Sequence, residues 1–364
     1  MNKEKFKQII SKVKGFDIYG NSKLFFLAPL VVILIMLICG TAYQLGNSYD
    51  KFANVGVDFQ GGTLLTVEFS EPGMNSSDKY DENLAMISGV LENNGLRVAV
   101  AQSSGDSSII VRYLNTVWID GNPVDYSTDE KVAEMNAIND VVREQVAEAT
   151  SAKYEGKITA NSTTTLIGNS ASMRLLRTAL ISVAVALALM LIYIVIRFDF
   201  YSALAAIVAL LHDIIIMMSL TVIFYVEIGS TIVAAIITIV AYSINNTIIV
   251  FDRIRSQTKP LKKSNQKYEI TPIINTAITS TFTRTCYTTL TTLVVIALLA
   301  ILGVASIQTF ALPIIFGLIG GFYSSVFLAG PLWGIFKDWG AKLKVMRANR
   351  KFKKSKEIAK AAKA

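Results

Sequence analysis

Three apolar stretches carry groups that hydrocarbon tolerates only at a cost: His212 and Asp213 in one, Ser243, Asn245, Asn246 and Thr247 in a second, Arg284 in a third. Ionisable and amide side chains at membrane depth turn toward a bundle interior or a wet cavity. A buried guanidinium needs a partner, because an unpaired charge in low dielectric is strongly disfavoured. Asp213 is the counter-charge on offer, and the amides of Asn245 and Asn246 can hydrogen-bond. The chemistry is that of a proton or ion relay, in which Asp213 changes protonation and its pairing with Arg284 switches. A static polar clasp between helices fits the same residues, and Arg284 can also snorkel to the nearer interface. An Arg284 lying against the headgroups, remote from both Asp213 and the paired amides, would leave a plain six-pass scaffold.

Helical rise places these groups in depth. With span centres at Val240 and Thr291, Asn246 and Arg284 both lie roughly 9–10 Å to one side of the midplane at 1.5 Å per residue. Asp213 sits near the centre of its own span, roughly 10 Å away in depth. Asp252 follows about one and a half turns beyond Asn246, at the interface. Thr288 and Thr292, with Ser243, either line a polar path above Arg284 or are small residues that let helices approach. His212 faces away from Arg284 if Asp213 faces the bundle, and is read as a satisfied structural histidine.

Other chemistries find no footing. With one histidine, His212, a His-based metal site or a Ser-His-Asp triad is not expected. Cys39 and Cys286 fall on different spans without metal-ligand spacing. Asp213 and Asp252 differ too much in depth for an aspartyl intramembrane protease. No P-loop or nucleophile elbow occurs, so neither catalysis nor a cofactor is expected. Gly61-Gly62, with Asp58 in the same motif, precedes a strand and no helix follows, so it is no dinucleotide loop. A turn or bulge at a membrane–domain junction is the reading.

The elements that must position these groups follow from composition. The chain has 364 residues, 52% of them hydrophobic, and a mean hydropathy of +0.47, which fits a multi-span membrane protein. Net charge is +8, yet residues 46–173 hold eight Lys and Arg against eighteen Asp and Glu. The positive excess lies in the N-terminus, one loop and the tail, which is topology signalling and not a nucleic-acid face. Residues 1–23 are a short basic terminus. Leu24 to Leu45 is a chargeless run of 22 residues, long enough to cross a core of about 30 Å and too long for a signal peptide. Further spans are expected at about 176–196, 202–224, 230–250, 280–302 and 310–333, followed by a basic tail over 334–364.

Residues 46–173 read as an α+β domain. The order is a strand at Thr63–Phe69, a helix at about Glu82–Asn93, strands at Arg97–Gln102 and Ser108–Tyr113, a helix at Asp129–Thr150 capped by Thr128, and a last strand within Lys157–Ile167. That β-α-β-β-α-β order suggests a ferredoxin-like unit, with Trp118–Tyr126 as an inserted loop. If the N-terminus is cytoplasmic, six crossings put every strongly basic segment inside and the acidic domain outside. Linkers at Gly46–Asn54 and Gly168–Met173 permit domain motion.

Four motifs taken in order, VGVDFQGG (55–62), LLHDIII (210–216), AYSINNTIIVFDRIR (241–255) and TFTRTCYTTLTTL (281–293), resemble the SecF branch of the SecD/SecF family. With six spans and one large domain after the first, the likeness covers most of the chain. It implies half of a resistance-nodulation-division bundle in the bacterial cytoplasmic membrane. It also implies an accessory role in the Sec translocase, using an ion gradient to promote late steps of polypeptide export. SecD is the implied partner, beside the SecYEG channel, YajC or YidC, the exported polypeptide and membrane lipid. A small-molecule or lipid exporter of the same superfamily is the rival, but a complete one needs about twice the spans. The family's fourth-span motif reads Asn-Asp where this chain has Asn245-Asn246. The missing carboxylate is the one implicated with the fifth-span arginine, here Arg284. Either Asp213 carries the role, or acidic residues of SecD do, or coupling is weak or uses another ion.

Overall fold

The computed structural model describes residues 17–45, 52–119, 121–264, 268–302 and 305–361. The basic set Lys3 to Lys14 and most of the expected linker at 46–54 lie outside them. Among the described residues, six helices are long and apolar enough to cross a membrane: Ser22–Leu45, Ser170–Arg197, Phe200–Ile223, Thr231–Lys263, Ile270–Leu302 and Ile307–Leu343. They match the expected spans in number and order. Helix α1 is Ser22–Leu45, and a one-turn helix α2, Val57–Gln60, opens the domain.

Strand β1 (Gly62–Phe69) turns Leu65, Val67 and Phe69 inward at period two. Helix α3 (Ser77–Asn93), β2 (Val98–Ser104) and β3 (Ser108–Tyr113) follow. Then come β4 (Thr116–Ile119), β5 (Asn122–Asp125), α4 (Val132–Lys153) and β6 (Ala160–Ile167). The sheet order is β2-β3-β1-β6, antiparallel throughout, which is the ferredoxin-like arrangement. Leu65, Val67, Ile109 and Val111 pack against Ile87, Leu91, Met135, Val142 and Val146 of the two helices. The stretch expected as an inserted loop is instead the β4–β5 hairpin, with Thr116 opposite Asp125. Gly121 adopts φ +80° in its turn, a left-handed conformation open to glycine at no steric cost. The last strand begins at Ala160, so Lys157 to Thr159 are not part of it.

One buried polar knot fixes the sheet to α4. Tyr113 Oη donates to Asn139 Oδ1 at 2.7 Å, Asn139 Nδ2 reaches Thr63 Oγ1 at 3.3 Å, and Thr63 Oγ1 donates to Asn115 Oδ1 at 2.8 Å. Burial pushes the Tyr113 phenol above its ordinary range, opposed by its hydrogen bond with Thr63.

The bundle continues with α5 (Asn169–Arg197), α6 (Phe200–Ile223), α7 (Thr231–Lys263), α8 (Ile270–Leu302) and α9 (Ala305–Tyr323). A π-helical turn at Ser324–Leu328 leads into α10 (Ala329–Ala361), so the sixth span and much of the basic tail form one interrupted helix. Helix α9 packs on α6, α7 and α8. Close approach is enforced by missing side chains: a Cβ on Gly317 would lie 2.5 Å from Ile239, and one on Gly321 would lie 3.1 Å from Ser243. Small residues at such crossings are how membrane helices gain packing without a hydrophobic drive between them. Along α1 and α5 apolar side chains such as Leu30, Leu34, Leu180 and Leu189 stay exposed.

Tyr113→Phe is expected to leave Asn139 Oδ1 buried without its donor and to cost about 1–3 kcal/mol. Hydrogen exchange in β1, β3 and α4 of the solubilised chain should speed up accordingly, while amides of α6 and α9 keep wild-type rates.

Candidate functional site

Helix α6 enters the bundle core with Ala203, Ala206, Leu210, Asp213 and Met217 facing inward at spacings of three and four. Asp213 is therefore sealed, 1% exposed. Its carboxylate is met by three groups. His212 Nδ1 lies 2.8 Å from Oδ1. Ser324 Oγ donates to Oδ2 at 2.9 Å, and Ser243 Oγ also donates to Oδ2. The His212 ring stacks near Tyr323, with centroids 6.0 Å apart.

The π turn explains how Ser324 gets there. Ala329 N–H reaches back to Ser324 O, an i to i+5 bond, which inserts one residue into the turn and re-aims its side chains. Such π turns recur at functional sites. Ser325, next in line, donates to Gly321 O at 2.7 Å and lies 3.3 Å from Thr247 Oγ1. Two helices thus contribute hydroxyl pairs, Ser243 and Thr247 from α7, Ser324 and Ser325 from the π turn. His212 and the π-turn serines were not assigned to the site from sequence. The dipeptide Ser324-Ser325 after Gly320-Gly321 is the available signal, a polar pair beside a close crossing.

The other expected residues divide. Asn246 is fully buried on α7, with Nδ2 3.4 Å from Thr289 Oγ1 of α8 and its Oδ1 unpartnered among the described residues. Thr285 Oγ1, one turn below Thr289, is also buried and unpartnered. Asn245 is exposed. Asp252 is exposed at the far end, 3.8 Å from Arg197. Thr288 and Thr292 spend their hydroxyls on their own helix, bonding Arg284 O and Thr288 O at 3.0 and 3.1 Å, so no hydrogen bond joins them to the Asp213 cluster.

Arg284 requires a correction. Its side chain is exposed, and among the described residues no ion pair joins it to Asp213 or to any carboxylate. The reason is angular. Ile274, Ile278, Thr281, Thr285 and Thr289 form the inward stripe of α8, and Arg284 is one residue, about 100°, off that stripe. The pairing expected from depth alone does not form, and within this chain Arg284 lies outside the polar cluster.

Asp213 and Arg284 are therefore charges of opposite sign on one bundle that do not meet: the first is answered by hydroxyls and a ring nitrogen, and the second has no carboxylate partner among the described residues. With imidazole neutral and carboxylate ionised, the His212–Asp213 pair carries one negative charge, and no cation among the described residues faces it. Two hydroxyls and one ring nitrogen already occupy the carboxylate oxygens. His212 Nε2 is buried without a partner among the described residues, which leaves it as the vacant acceptor of the cluster.

At the domain end, Asp58 Oδ2 accepts from Ser230 N at 2.8 Å, and Arg112 Nη1 of β3 lies 2.6 Å from Glu227 Oε2 in the α6–α7 turn. Burial pushes the Glu227 carboxyl above its usual range; the Arg112 guanidinium opposes this and Asp58 adds to it. Gly61 has φ +79°, and Gly62 opens β1.

Comparison with known proteins bears on these features. The model of the C-terminal region of SecD/SecF protein export membrane proteins matches residues 145–339, and that of the SecD/SecF GG motif matches residues 54–72. The protein translocase subunit SecF of Calditerrivibrio nitroreducens is 29% identical over 92% of this chain and 98% of its own. That of Sebaldella termitidis is 30% identical over 80% of this chain and 84% of its own. The crystal structure of SecDF, a translocon-associated membrane protein from Thermus thermophilus, superimposes with a TM-score of 0.62 at 27% identity. It covers 89% of this chain, which spans 39% of that longer one.

Ser324→Ala removes one charge-assisted bond to a buried carboxylate and is expected to cost about 1.5–3 kcal/mol. A lowered melting temperature of the detergent-solubilised chain should report it, with Thr292→Ala, which breaks only a bond within one helix, close to wild type.

Proposed function

The chain belongs to the SecD/SecF protein export family, and from that premise we propose that it stores and releases ion-gradient energy for polypeptide export jointly with a SecD bundle. Its place as an accessory subunit of the Sec translocase follows from the family, whose members are transport components. The ion coupling, the arrangement of partners and the orientation are our reading. The observation that carries it is Arg284: a guanidinium on an apolar span, exposed on α8, with no carboxylate among the described residues to answer it.

A charge so placed is strongly unfavourable against lipid and favourable against a partner helix that brings a carboxylate. The exposed faces of α8 and of neighbouring α7, with Asn245, form the surface on which SecD docks. Its acidic residue then takes the role that Asn246 cannot, since an amide neither takes up nor releases a proton near neutral pH. Within this chain, Asp213 with His212 is the second protonation site. One added proton brings the pair to neutrality, and Nε2 of His212 is the atom free to take it. Loss of that proton leaves a negative charge between α6, α7 and the π turn, and so changes the packing of α7.

The basic ends lie in the cytoplasm on this reading, and the acidic domain faces outward, in accord with the charge rule for membrane topology. SecYEG, with YajC or YidC, supplies the channel, and the domain meets the polypeptide that emerges. A non-coupled scaffold is the contrary outcome, and its signature is Arg284 without mechanistic consequence.

Arg284→Ala, coexpressed with SecD in inverted vesicles, is expected to insert and assemble normally. It should lose most of the export increment that a proton gradient adds after the ATP-driven step. Asp213→Asn should lower the same increment and flatten its dependence on pH. Gradient-stimulated export at wild-type level in Arg284→Ala would identify a scaffold.

A further inference from the structure

Residues 54–62 do more than connect the first span to the domain. Ile228 N donates to Asn54 O at 2.7 Å, and Gly56 N donates to Ile228 O at 3.0 Å. These bonds form a short parallel bridge, Val55 beside Ile228. Asn54 Nδ2 adds a bond to Tyr225 O at 3.3 Å. Gly56 has no room for a side chain, since a Cβ there would lie 2.6 Å from Glu227 Oε1. Phe59 packs onto the cluster of Met217, Ile232, Ala235 and Ile314 between α6, α7 and α9. The motif is thus seated on the α6–α7 turn from several sides.

Asp58 occupies the decisive place. The first N–H groups of a helix have no partner within it. Ser230, which precedes α7, supplies no side-chain cap of its own. Asp58 Oδ2, from a segment 172 residues away, accepts from Ser230 N at 2.8 Å. A carboxylate there also suits the positive end of the helix dipole. Only Phe59, Gln60 and Gly61 separate Asp58 from β1. Gly61 makes the turn with φ +79°, and a Cβ on Gly62 would lie 2.7 Å from Tyr113 O, so the chain passes from the cap into the sheet without slack. Strand β1 is an inner strand, paired with β3 and β6. Arg112 of β3 closes the same junction through Glu227.

We propose that Asp58 is a positioning residue that clamps the start of α7 to β1, so that displacement of α7 is delivered to the domain as rigid movement. Helix α7 carries Ser243 and Asn246 about 20–24 Å along its axis from the clamp at 1.5 Å per residue. A change in the Asp213 cluster therefore acts part-way along a rod whose start is held by the domain. The inference rests on the reading that α7 moves when the intramembrane site changes charge.

The test uses the full chain with SecD in vesicles, and two measurements. One is the gradient-dependent export increment. The other is the distance distribution between a spin label on the exposed face of the domain and one at the outer end of α6. Asp58→Ala should leave assembly and ATP-driven export unchanged, broaden the distribution, and raise the undocked population about fivefold, as loss of an N-cap does. The increment should fall with it. Asp58→Asn retains an acceptor and should restore both. Ser230→Pro deletes the donor N–H, which a helix start tolerates, and should reproduce Asp58→Ala with the carboxylate intact. Wild-type distances in both Asp58→Ala and Ser230→Pro would overturn the clamp. A broadened distribution with an unchanged increment would also overturn it as a coupling element. If the wild type and Arg284→Ala show the same increment, the proposed function fails, while the distance measurement still decides whether Asp58 holds the domain.

Discussion

A carboxylate enclosed where water cannot reach it must be answered by its own surroundings, and most of the bundle core can be derived from how Asp213 is answered. Hydrocarbon offers nothing to bond with, and no cation among the described residues approaches. The protein uses hydroxyls and an imidazole instead. To bring two serines onto one oxygen, α7 and the last span must come close to α6. Glycines 317 and 321 open that approach against Ile239 and Ser243, and the π turn rotates Ser324 onto Oδ2. Removing the carboxylate would leave the serines without purpose and the π turn without compensation. The polar cluster and the close crossing therefore stand or fall together.

A second consequence is asymmetry. The buried half of the site is satisfied by donors, so it needs no arginine. The arginine that does exist faces outward, near helices whose apolar side chains are exposed. Lipid can cover leucine and valine, but it cannot cover a guanidinium at the same cost. The surface of α8 is thus chemically unfinished in a way that the surfaces of α1 and α5 are not. On the proposed reading, this difference selects which face meets the second bundle.

The succession of spans was legible in the sequence and azimuth was not. Six spans, their order, the α+β class of the domain and its strand order follow from hydropathy, period and turn residues. The phase of α8 does not. Its run from Thr271 to Thr292 places hydroxyls on every side, so inward Thr281, Thr285 and Thr289 look the same as outward Thr276 and Thr291. Only packing against Asn246 and α9 chooses between Thr285 and Arg284 as the inward residue. The β4–β5 hairpin was missed because Pro123 and the short segments read as breakers. The π turn was missed because an inserted residue leaves no mark on an apolar run. Asn245 and Asn246 show the same limit: adjacent and alike in sequence, one faces out and the other is sealed.

The two ends of α7 explain why it is the helix to watch. At its far end Arg253 Nε bonds Ser280 Oγ at 3.1 Å and Arg255 reaches Arg197 O, contacts of exposed side chains that rearrange at little cost. At its near end the main-chain bridge to Asn54 and Gly56 and the half-buried Arg112–Glu227 pair join the exposed Asp58 cap. Phe251 and Ile254 also seat the far end in the bundle core, while the near end is the one that meets the domain. On the proposed reading, a charge change at Asp213 reaches α7 through Ser243, between these ends, and has its mechanical effect at the clamped one. The same asymmetry accounts for the composition of residues 54–62. Glycine is needed where Glu227 and Tyr113 leave no space, and a carboxylate where α7 presents its unpaired N–H. An aromatic ring is needed where the segment must grip the bundle, and none of the three substitutes for another.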